Sequence, residues 1–333
     1  MTINVLVAGG GGYIGSHACK ALAKAGYLPV TYDNLSRGHA DSVRWGPLVE
    51  GDIGDRDRVI ATLRRYQIEA VMDFAAYAYV AESMARPALY FQNNLSHSLT
   101  LLDAMDAANV RTFILSSTCA VYGNPREIPV REGDALEPIN PYGESKLALE
   151  RALQWHGKLL GFRYVALRYF NAAGCDPDGE IGEDHDPETH LIPLVIEAAL
   201  GLRSHVDILG VDYPTPDGTA VRDFIHVQDL AEAHILALEY LARGGASVAL
   251  NLAAGRGHSV REIVAATERI TGRRIPRRDC ARRPGDPPFL IADAGRAGEM
   301  LGWAPRISDL DTIIRTAWAW YQRQAIVPRV ANV

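Results

Sequence analysis

The sequence predicts an α/β fold with a doubly wound parallel sheet and a smaller C-terminal substrate-binding domain. Three observations support this prediction. Apolar strand-like runs alternate with helical patterns through the first half of the chain, which is typical of a parallel sheet covered by helices. A glycine-rich turn joins the first strand-like run to the first helical pattern. Polar residues follow several of the strand-like runs, at the sheet edge where such folds bind ligands.

Length and composition predict the class of protein. The chain has 333 residues, which favours two domains. Hydrophobic residues make up 48% and charged residues 22%, as in ordinary soluble globular proteins. The net charge of -6 argues against general nucleic-acid binding, because non-specific affinity comes mainly from neutralising phosphates. No apolar run approaches the roughly 18 residues of a membrane span, so neither nucleic acid nor a membrane is expected as a partner.

The N-terminus and the cysteines indicate the compartment. The first six residues lead directly into a strand-like run without a basic stretch or a cleavage signal. The four cysteines are scattered and form no C-x-x-C pair, which argues against a disulfide framework and a zinc site; they are Cys19, Cys119, Cys175 and Cys280. We therefore expect a cytoplasmic protein with reduced thiols.

One segment, Glu183 to His190, is rich in the residue types that ligate metals. Gly182 precedes it and Pro187 interrupts it, so it is predicted to be a loop without the helical histidine spacing of a zinc site. No metal is expected there from sequence.

The first predicted strand, Ile3 to Ala8, leads into four consecutive glycines, Gly9 to Gly12, and then to Gly15 at the start of a helical pattern. Glycine allows the backbone to turn tightly and to approach a pyrophosphate, whose charge is bound by N–H groups at the helix N-terminus. Two registers of the dinucleotide fingerprint fit, one beginning at Gly9 and one at Gly10. Either register predicts a Rossmann-type dinucleotide site.

The second predicted strand, Leu28 to Tyr32, ends at Asp33. A carboxylate at this point accepts hydrogen bonds from a ribose diol and repels a 2′-phosphate, so NAD is favoured over NADP. Arg37 is the one nearby residue that could accommodate such a phosphate. Farther along, Asp52 follows the third strand, and the sequence leaves open whether it meets adenine or caps a helix.

Two further strands lead to candidate site residues. The strand Ala70 to Phe74 is followed by Ala75 and Ala76, whose small side chains let the backbone approach a cofactor. The strand Thr112 to Leu115 is followed by three hydroxyl residues, Ser116, Ser117 and Thr118, at the ligand-binding edge of the sheet.

The most informative pair is Tyr142 and Lys146. Asn140 is a good N-cap and Pro141 suits the first helical position, so Tyr142 should lie in the first turn with Lys146 one turn deeper. Side chains at i and i+4 share a helix face, where an ammonium can lower the pKa of a phenol. Bringing that pKa from about 10 to near 7 requires about 4 kcal/mol. The pair predicts an activated phenol, and the strand Tyr164 to Arg168 closes this half of the chain.

In this order, the motifs resemble the UDP-glucose 4-epimerases of the extended short-chain dehydrogenase/reductase family, over essentially the whole chain. The segments that carry the resemblance are Gly11 to His17, Asp33 to Ser36, Ser116 to Thr118, Pro141 to Lys146, Arg168 to Asn171, Asp212 to Thr215, Asp217 to Thr219, Val221 to Val227 and Arg283 to Asp286.

The resemblance implies an isomerase of carbohydrate metabolism that binds NAD and epimerises a UDP-sugar, UDP-galactose to UDP-glucose, through a 4-keto intermediate. Tyr142 would be the acid and base, Thr118 would share the hydrogen bond to the sugar oxygen, and Lys146 would bind the cofactor ribose. The implied cofactor-binding residues are Gly9, Gly12, Tyr13, Ile14, Gly15, Asp33, Asn34, Ser36, Asp52, Ile53, Phe74, Ala75, Ala76, Asn93, Thr118, Tyr142, Lys146 and Phe170. The implied substrate-binding residues are Thr118, Tyr142, Asn171, His190, Leu191, Asp207, Leu209, Arg222, Arg283, Asp286 and Leu290.

The chain departs from the family pattern at three positions. Ala78 replaces a cofactor-contacting Lys, and Asp73 stands where His is frequent. Leu290 occupies the position that gates bulky C2 substituents and is neither a large Tyr nor a very small residue. The sequence therefore leaves UDP-N-acetylhexosamines and the pentose sugars UDP-arabinose and UDP-xylose open as alternative substrates.

Other activities on the same fold are less consistent with the sequence. Nucleotide-sugar 4,6-dehydratases need an additional acid and base and carry Asp and Glu directly after the Thr, where this chain has Cys119 and Ala120. UDP-glucuronate decarboxylases tend to keep a Glu at the second of these positions. A non-catalytic nucleotide-binding protein of this fold would be expected to lose Tyr142 or Lys146, and both are present.

The predicted organisation is an NAD-binding domain over residues 1–171, with a returning segment near 223–252, and a mainly UDP-sugar-binding domain over residues 172–333. The resemblance also implies a homodimer formed through helices near Tyr90 to Asn109 and Tyr142 to Leu160.

Overall fold

The computed structural model describes residues 3–283 and 286–326. Pro284 and Gly285 of the segment quoted above, and the outer ends of the two predicted domains at residues 1–2 and 327–333, lie outside the described residues.

The described strands form one large sheet and two small ones. In chain order they are β1 (Asn4–Ala8), β2 (Leu28–Asp33), β3 (Leu48–Glu50), β4 (Ala70–Asp73), β5 (Thr112–Thr118), β6 (Arg163–Tyr169), β7 (Asn171–Ala173), β8 (Val206–Leu209), β9 (Val221–His226), β10 (Val248–Leu252), β11 (Gly257–Ser259), β12 (Arg277–Cys280) and β13 (Phe289–Leu290). The large sheet is parallel with the order β10-β6-β5-β4-β1-β2-β3. The predicted doubly wound parallel sheet is confirmed.

The described helices cover both faces of this sheet and build the smaller C-terminal part. They are α1 (Tyr13–Lys24), α2 (Arg56–Arg65), α3 (Val80–Ala85), α4 (Pro87–Tyr90), α5 (Ser98–Ala107), α6 (Pro141–Leu160), α7 (Leu191–Leu200), α8 (Val227–Ala242), α9 (Val260–Thr271), α10 (Gly295–Leu301) and α11 (Leu310–Ile326), with a π-helical turn at Phe91–His97 between α4 and α5. None of the described helices combines the length and the apolar character that a membrane span needs.

Two apolar cores lie on opposite faces of the large sheet. On one face α1 and α8 pack together, burying Leu22 and Leu230 against strand residues such as Val7. On the other face α2, α5 and α6 bury Val59, Leu101 and Leu153. Because both faces are covered, the central strands are continuous apolar runs, as their sequences predict.

The two small sheets belong to the C-terminal part of the chain. Strands β11, β9 and β13 are neighbours, and β7 also pairs with β9. Strands β8 and β12 form a two-stranded parallel sheet. Of the segment predicted to return near 223–252, α8 and β10 join the large sheet, whereas β9 lies in the small one. The division into domains at residue 171 stays a prediction.

Candidate active site

The glycine-rich loop between β1 and α1 is built from backbone that leaves little room for side chains. Gly9 has a φ of +76°, and a Cβ placed on it would lie 2.6 Å from the carbonyl carbon of Phe74. A Cβ on Gly15 would overlap the carbonyl oxygen of Gly9. These requirements favour the fingerprint register that begins at Gly9, with Gly12 and Gly15 as its other members.

The N-terminus of α1 fits a pyrophosphate. Its N-cap, Gly12, offers no side-chain acceptor, and its first turn carries no acidic residue. The early N–H groups of Tyr13 and Ile14 can therefore bind an anion without a competing carboxylate. The Tyr13 hydroxyl itself donates to the carbonyl of Gly174 at 2.5 Å, which fixes its ring beside the loop.

Asp33 lies at the end of β2 and is bound to the glycine loop. Its Oδ2 accepts from the Gly11 N–H at 2.9 Å, and its Oδ1 accepts from the Leu35 N–H at 2.8 Å. Burial raises the pKa of this carboxyl, and the two backbone hydrogen bonds lower it. Arg37 is engaged elsewhere: it donates to Glu82 at 2.8 Å and stacks over two tyrosine rings. This arrangement favours a ribose diol over a 2′-phosphate beside Asp33.

Asp52 is not a helix cap. Its carboxylate accepts from the Asn34 amide at 2.8 Å and from the Gly54 N–H at 2.7 Å, and it lies 2.9 Å from Nδ1 of His97. The N-cap of α2 is Asp55, which accepts from the Arg58 N–H. The alternative that Asp52 caps a helix is therefore wrong, because α2 has its N-cap three residues later, at Asp55. Asn34 also accepts from the Ser36 N–H, and Ile53 is buried next to Asp52.

Asp73, at the position where the family pattern often has His, is the last residue of β4. Asp73 is buried and accepts from the Ala75 N–H at 3.0 Å and from the Ser98 hydroxyl at 3.2 Å. Burial raises its pKa, while the charge of Lys146 lowers it. Asp73 thus orders the turn that carries Phe74, Ala75 and Ala76.

Asn94 in the π-helical turn is a residue that sequence reasoning missed. It is buried, accepts from the Tyr77 N–H and donates to the Tyr77 carbonyl, each at 2.9 Å. The predicted cofactor residue Asn93 donates to the Asn94 side chain at 2.9 Å. Two adjacent asparagines within an apolar helical pattern were the available signal.

Thr118 and Tyr142 meet at the carboxyl edge of the sheet. Thr118 is the last residue of β5, three residues beyond the predicted strand end, and its hydroxyl accepts from the Ala120 N–H at 3.1 Å. The predicted cap of α6 is confirmed, since the Asn140 side chain accepts from the Gly143 N–H and Pro141 begins the helix. Tyr142 therefore lies in the first turn, where its hydroxyl shares a hydrogen bond with Thr118.

The pKa of Tyr142 differs from the lowering that the sequence predicts. Burial raises it to about 12, against the hydrogen bond with Thr118, which lowers it. Burial also lowers the pKa of Lys146, against the charges of Asp73 and Glu150, which raise it. Helix spacing alone could not reveal how strongly both groups are desolvated.

Lys146 supplies a second point of fit for a cofactor. Its side chain is buried, with the residue 2% exposed, yet its ammonium makes no hydrogen bond or ion pair with the described residues. Buried ammonium groups are normally hydrogen-bonded, so this one suits a ribose diol. Together with the uncapped helix and the glycine cradle, it fits a dinucleotide.

One turn beyond Lys146, Glu150 accepts from the Ser117 hydroxyl at 2.5 Å and from the Arg168 guanidinium. All three side chains are buried. They connect α6 to β5 and β6 directly behind the Tyr142 and Lys146 pair. The i+4 spacing of residues 142, 146 and 150 was the signal that sequence reasoning did not use.

The predicted substrate residues on the small sheet are partly brought together. Arg222 on β9 donates to Asp286 at 2.8 Å. Leu290 on β13 is the parallel strand partner of Arg222. Asp286 also donates its N–H to the carbonyl of Arg283 at 3.3 Å, while the Arg283 guanidinium makes no hydrogen bond or ion pair with the described residues. Asn171 donates to the carbonyl of Asp223, next to Arg222.

The remaining predicted substrate residues occupy different elements. Asp207 and Leu209 lie on β8, where Asp207 is already bound by the Arg278 guanidinium at 2.9 Å. The predicted cofactor-binding residue Phe170 is buried in an apolar cluster against which the predicted substrate residue Leu290 packs. His190 is the N-cap of α7, and Leu191 is its first residue.

The segment from residue 183 to 190 is a loop, as predicted, but its fold gathers side chains that sequence spacing kept apart. Glu183, His185, Glu188 and His190 place one ligand-type atom each within 4.8 Å of one another. Burial lowers the pKa of both imidazoles, but the two glutamates outweigh it and raise these values to about 9 for His185 and about 10 for His190.

Cys119 and Ala120, directly after Thr118, begin a short 3-10 turn. Burial raises the pKa of the Cys119 thiol to about 12, so the thiol stays protonated at neutral pH. These two positions provide no additional acid or base for an elimination.

Comparisons with known proteins agree with this geometry. A family model described as the NAD dependent epimerase/dehydratase family matches residues 5–253. The UDP-glucose 4-epimerase of Rhizobium leguminosarum bv. trifolii is 50% identical over 319 residues, covering 96% of this chain and 97% of the relative.

Two solved structures are similar over nearly their whole length. The UDP-glucose 4-epimerase from Brucella ovis in complex with NAD is 54% identical with a TM-score of 0.94, covering 96% of this chain and 98% of that one. The enzyme from Stenotrophomonas maltophila, with bound NAD and formylated UDP-arabinopyranose, is 41% identical with a TM-score of 0.94, covering 97% and 99%.

Proposed function

The chain belongs to the NAD dependent epimerase/dehydratase family, and we propose that it interconverts UDP-galactose and UDP-glucose by NAD-dependent oxidation and reduction at C4. The observation that carries the proposal is the meeting of Thr118 and Tyr142, with Lys146 one turn farther along the same helix and no titratable group other than a protonated thiol at positions 119 and 120. Such a site handles one proton at one carbinol and lacks the second acid–base pair of an elimination.

The chain's own residues provide the proton chemistry. Tyr142 accepts the proton of the sugar 4-hydroxyl and later returns it, while Thr118 hydrogen-bonds the same oxygen and keeps it within reach. NAD, when bound, supplies the hydride acceptor and donor and carries a positive charge in its oxidised form, which favours ionisation of a neighbouring phenol. Lys146 binds and orients the cofactor ribose through its ammonium.

The 4-keto sugar must rotate between oxidation and reduction so that its other face meets the cofactor. The rest of the substrate must stay bound meanwhile. Arg222 and Arg283 are proposed to bind the diphosphate through charge-assisted hydrogen bonds. Arg222 lies on a strand and is oriented by Asp286 at 2.8 Å, while the Arg283 guanidinium has no partner among the described residues. One positioned arginine and one unpaired arginine suit an anion that arrives with the substrate.

The choice of sugar is tested by incubating the purified enzyme separately with UDP-galactose, UDP-N-acetylgalactosamine and UDP-arabinose and following the C4 epimers by NMR. We expect UDP-galactose to be converted fastest. Reduction of bound cofactor without formation of any 4-epimer would contradict the proposal and support a dehydratase or reductase. Conversion of UDP-arabinose alone would favour the pentose alternative, for which the pentose-bound neighbour from Stenotrophomonas maltophila is a specific observation.

We also propose that the enzyme is a cytoplasmic homodimer, with residues 1–171 mainly binding NAD and the later segments mainly binding the UDP-sugar. Exposed apolar side chains near the end of α6 support a helical dimer interface: Trp155 is 61% exposed and Leu159 is 74% exposed. These residues share one helix face. Light scattering of the wild type and of the Leu159→Lys variant tests this, and a monomeric wild type would contradict it.

A further inference from the structure

The loop before α7 gathers four metal-ligating side chains at one point. Glu183 and Glu188 have side-chain exposures of 3% and 6%, and His185 and His190 approach them from the same loop. Two of the residues supply imidazole nitrogens and two supply carboxylate oxygens, with all four ligand atoms within 4.8 Å of one another. We propose that Glu183, His185, Glu188 and His190 form a site for one divalent cation, which we expect to be Zn²⁺.

The distances between the ligand atoms match a small coordination sphere. Tetrahedral zinc with bonds of about 2.0–2.1 Å separates its ligand atoms by about 3.3 Å. Nδ1 of His185 lies 3.3 Å from Oε1 of Glu183 and 3.6 Å from Oε2 of Glu188. Nδ1 of His190 lies 3.3 Å from Oε1 of Glu188 and 2.7 Å from Oε1 of Glu183. These histidine–glutamate separations, which involve both oxygens of Glu188, are close to what one zinc ion requires, and only the contact of 2.7 Å would have to lengthen.

A second observation concerns hydrogen bonding. Oε1 of Glu183 and Nδ1 of both histidines are buried, yet none makes a hydrogen bond with the described residues despite their short separations. Buried polar atoms are normally hydrogen-bonded. Both Nδ1 atoms instead lie at ion-pair distance from Oε1 of Glu183, at 3.3 Å for His185 and 2.7 Å for His190, so the three atoms surround one point of the loop. The glutamate is nine-tenths buried or more, so water does not readily satisfy its oxygen.

The types of ligand select the ion. Imidazole suits zinc, whereas Mg²⁺ and Ca²⁺ take oxygen ligands almost exclusively. A second acidic group, Asp176, Asp178 and Glu180, also lies in one place, but the Lys20 ammonium already ion-pairs with all three. These three carboxylates are therefore already paired with a cationic side chain of the protein.

The surroundings indicate a structural role for the cation. The His185 ring is in edge contact with Tyr13 and Tyr79, at centroid distances of 6.0 and 5.9 Å. The Trp320 indole on α11 donates to the Glu183 carbonyl at 3.2 Å. A cation bound here would connect the loop to α1, to α11 and to the start of α7. The site lies outside the groups proposed to transfer the proton, so the inference goes beyond the proposed function. One of its ligands, His190, is also an implied contact of the UDP-sugar, and for that reason the test below changes His185 and Glu188 only.

The experiment measures zinc directly. Purified enzyme is treated with a chelator, titrated with Zn²⁺ by calorimetry, and analysed for metal by mass spectrometry after dialysis. We expect one Zn²⁺ per chain and a raised melting temperature, with Mg²⁺ giving neither effect. His185→Phe keeps an aromatic ring between Tyr13 and Tyr79 but removes the ligating nitrogen, and Glu188→Gln removes a carboxylate; both should lose zinc. Asp186→Asn, an exposed residue of the same loop, should retain it.

The competing arrangement is a set of ion pairs between protonated imidazoles and carboxylates. It predicts that both variants melt at lower temperature while the wild type binds no zinc. That result would overturn the inference, as would equal zinc binding by the wild type and by folded His185→Phe. Because the readout is metal content, these outcomes are distinct from failure to convert a UDP-sugar, which would overturn only the proposed function.

Discussion

Arg168 on β6 and Glu150 on the proposed catalytic helix α6 form a buried, bidentate ion pair. Nε of Arg168 lies 3.0 Å from Oε1 of Glu150, and its Nη2 lies 2.5 Å from Oε2. Both side chains are about 5% exposed or less, so neither charge has water as an alternative partner. The pair therefore couples the position of α6 to β6.

Replacing Glu150 with Gln should destabilise the protein strongly. The Arg168 charge would remain buried without its partner, a change that typically costs about 3–5 kcal/mol. Urea unfolding followed by tryptophan fluorescence measures this loss. The matched control is Asp311→Asn, which breaks the exposed pair of Arg269 and Asp311 and should cost less than about 1 kcal/mol. Similar losses in both variants would contradict the argument.

Replacing Tyr142 with Phe should remove the proton-transfer step and leave NAD bound. We expect turnover of UDP-galactose to fall by about 10²–10⁴-fold, the usual contribution of a positioned acid or base. A coupled assay for UDP-glucose and the NAD content of the purified variant measure the two effects. Tyr66→Phe removes a phenol outside the site and should be unaffected. Near-wild-type turnover of the Tyr142 variant would exclude the assigned role.

Replacing Gly15 with Ala should disrupt the nucleotide loop, because its Cβ would overlap the Gly9 carbonyl oxygen. We expect a large loss of bound NAD, measured by absorbance after purification, together with a lower melting temperature. Gly133→Ala is the control, since a Cβ at that position meets nothing within 4 Å. A fully NAD-loaded Gly15 variant would show that the loop is less tightly packed than the structure indicates.

Changing the size of Leu290 should change which sugars are accepted. It pairs in register with Arg222, so its side chain lies beside the proposed diphosphate contact. Leu290→Gly should raise the relative kcat/KM for UDP-N-acetylgalactosamine, and Leu290→Tyr should lower it, each by about tenfold or more. UDP-galactose serves as the internal reference. Unchanged preference in both variants would show that this residue does not face the sugar.

Acid should destabilise the protein partly through His234. Burial lowers the pKa of this fully buried imidazole to about 4, below its ordinary 6.5. Between these values the unfolded chain binds more protons than the folded one, so stability falls as the pH falls from 6.5 toward 4, by about 3 kcal/mol for this group. His234→Leu should reduce that slope in urea unfolding at pH 8, 6 and 5. Identical pH slopes of stability in the wild type and the variant would contradict this prediction. Some slope should remain in the variant, because burial also lowers the pKa values of His17 and His226.

The fold and the nucleotide end of the site could be predicted because their determinants are local. The apolar runs of β1 and β4, the glycine loop and the Asn140 cap all act within a few residues. The end of β5 was predicted three residues early because Thr118 pairs with Tyr169 of β6, a contact that hydroxyl residues do not reveal in sequence.

Other parts of the site depend on residues far apart in the chain. Arg222 and Asp286 are 64 positions apart, and nothing in either segment identifies the other as its ion-pair partner. The pKa of Tyr142 was misjudged for a related reason: its desolvation comes from the surrounding fold. The loop of Glu183 and His190 shows the same limitation, since irregular backbone brought together ligands without any regular spacing.

Asp33 has a consequence for redesign of cofactor preference. A protein engineer who wished to admit a 2′-phosphate would first remove this carboxylate, yet its two oxygens accept the N–H groups of Gly11 and Leu35. Leu35 itself has a left-handed φ of +55°, which the second of these bonds helps to stabilise. The proposed preference for NAD and the shape of the loop thus depend on the same side chain. A switch to NADP would therefore require substitutions that rebuild the turn as well as substitutions that bind the phosphate.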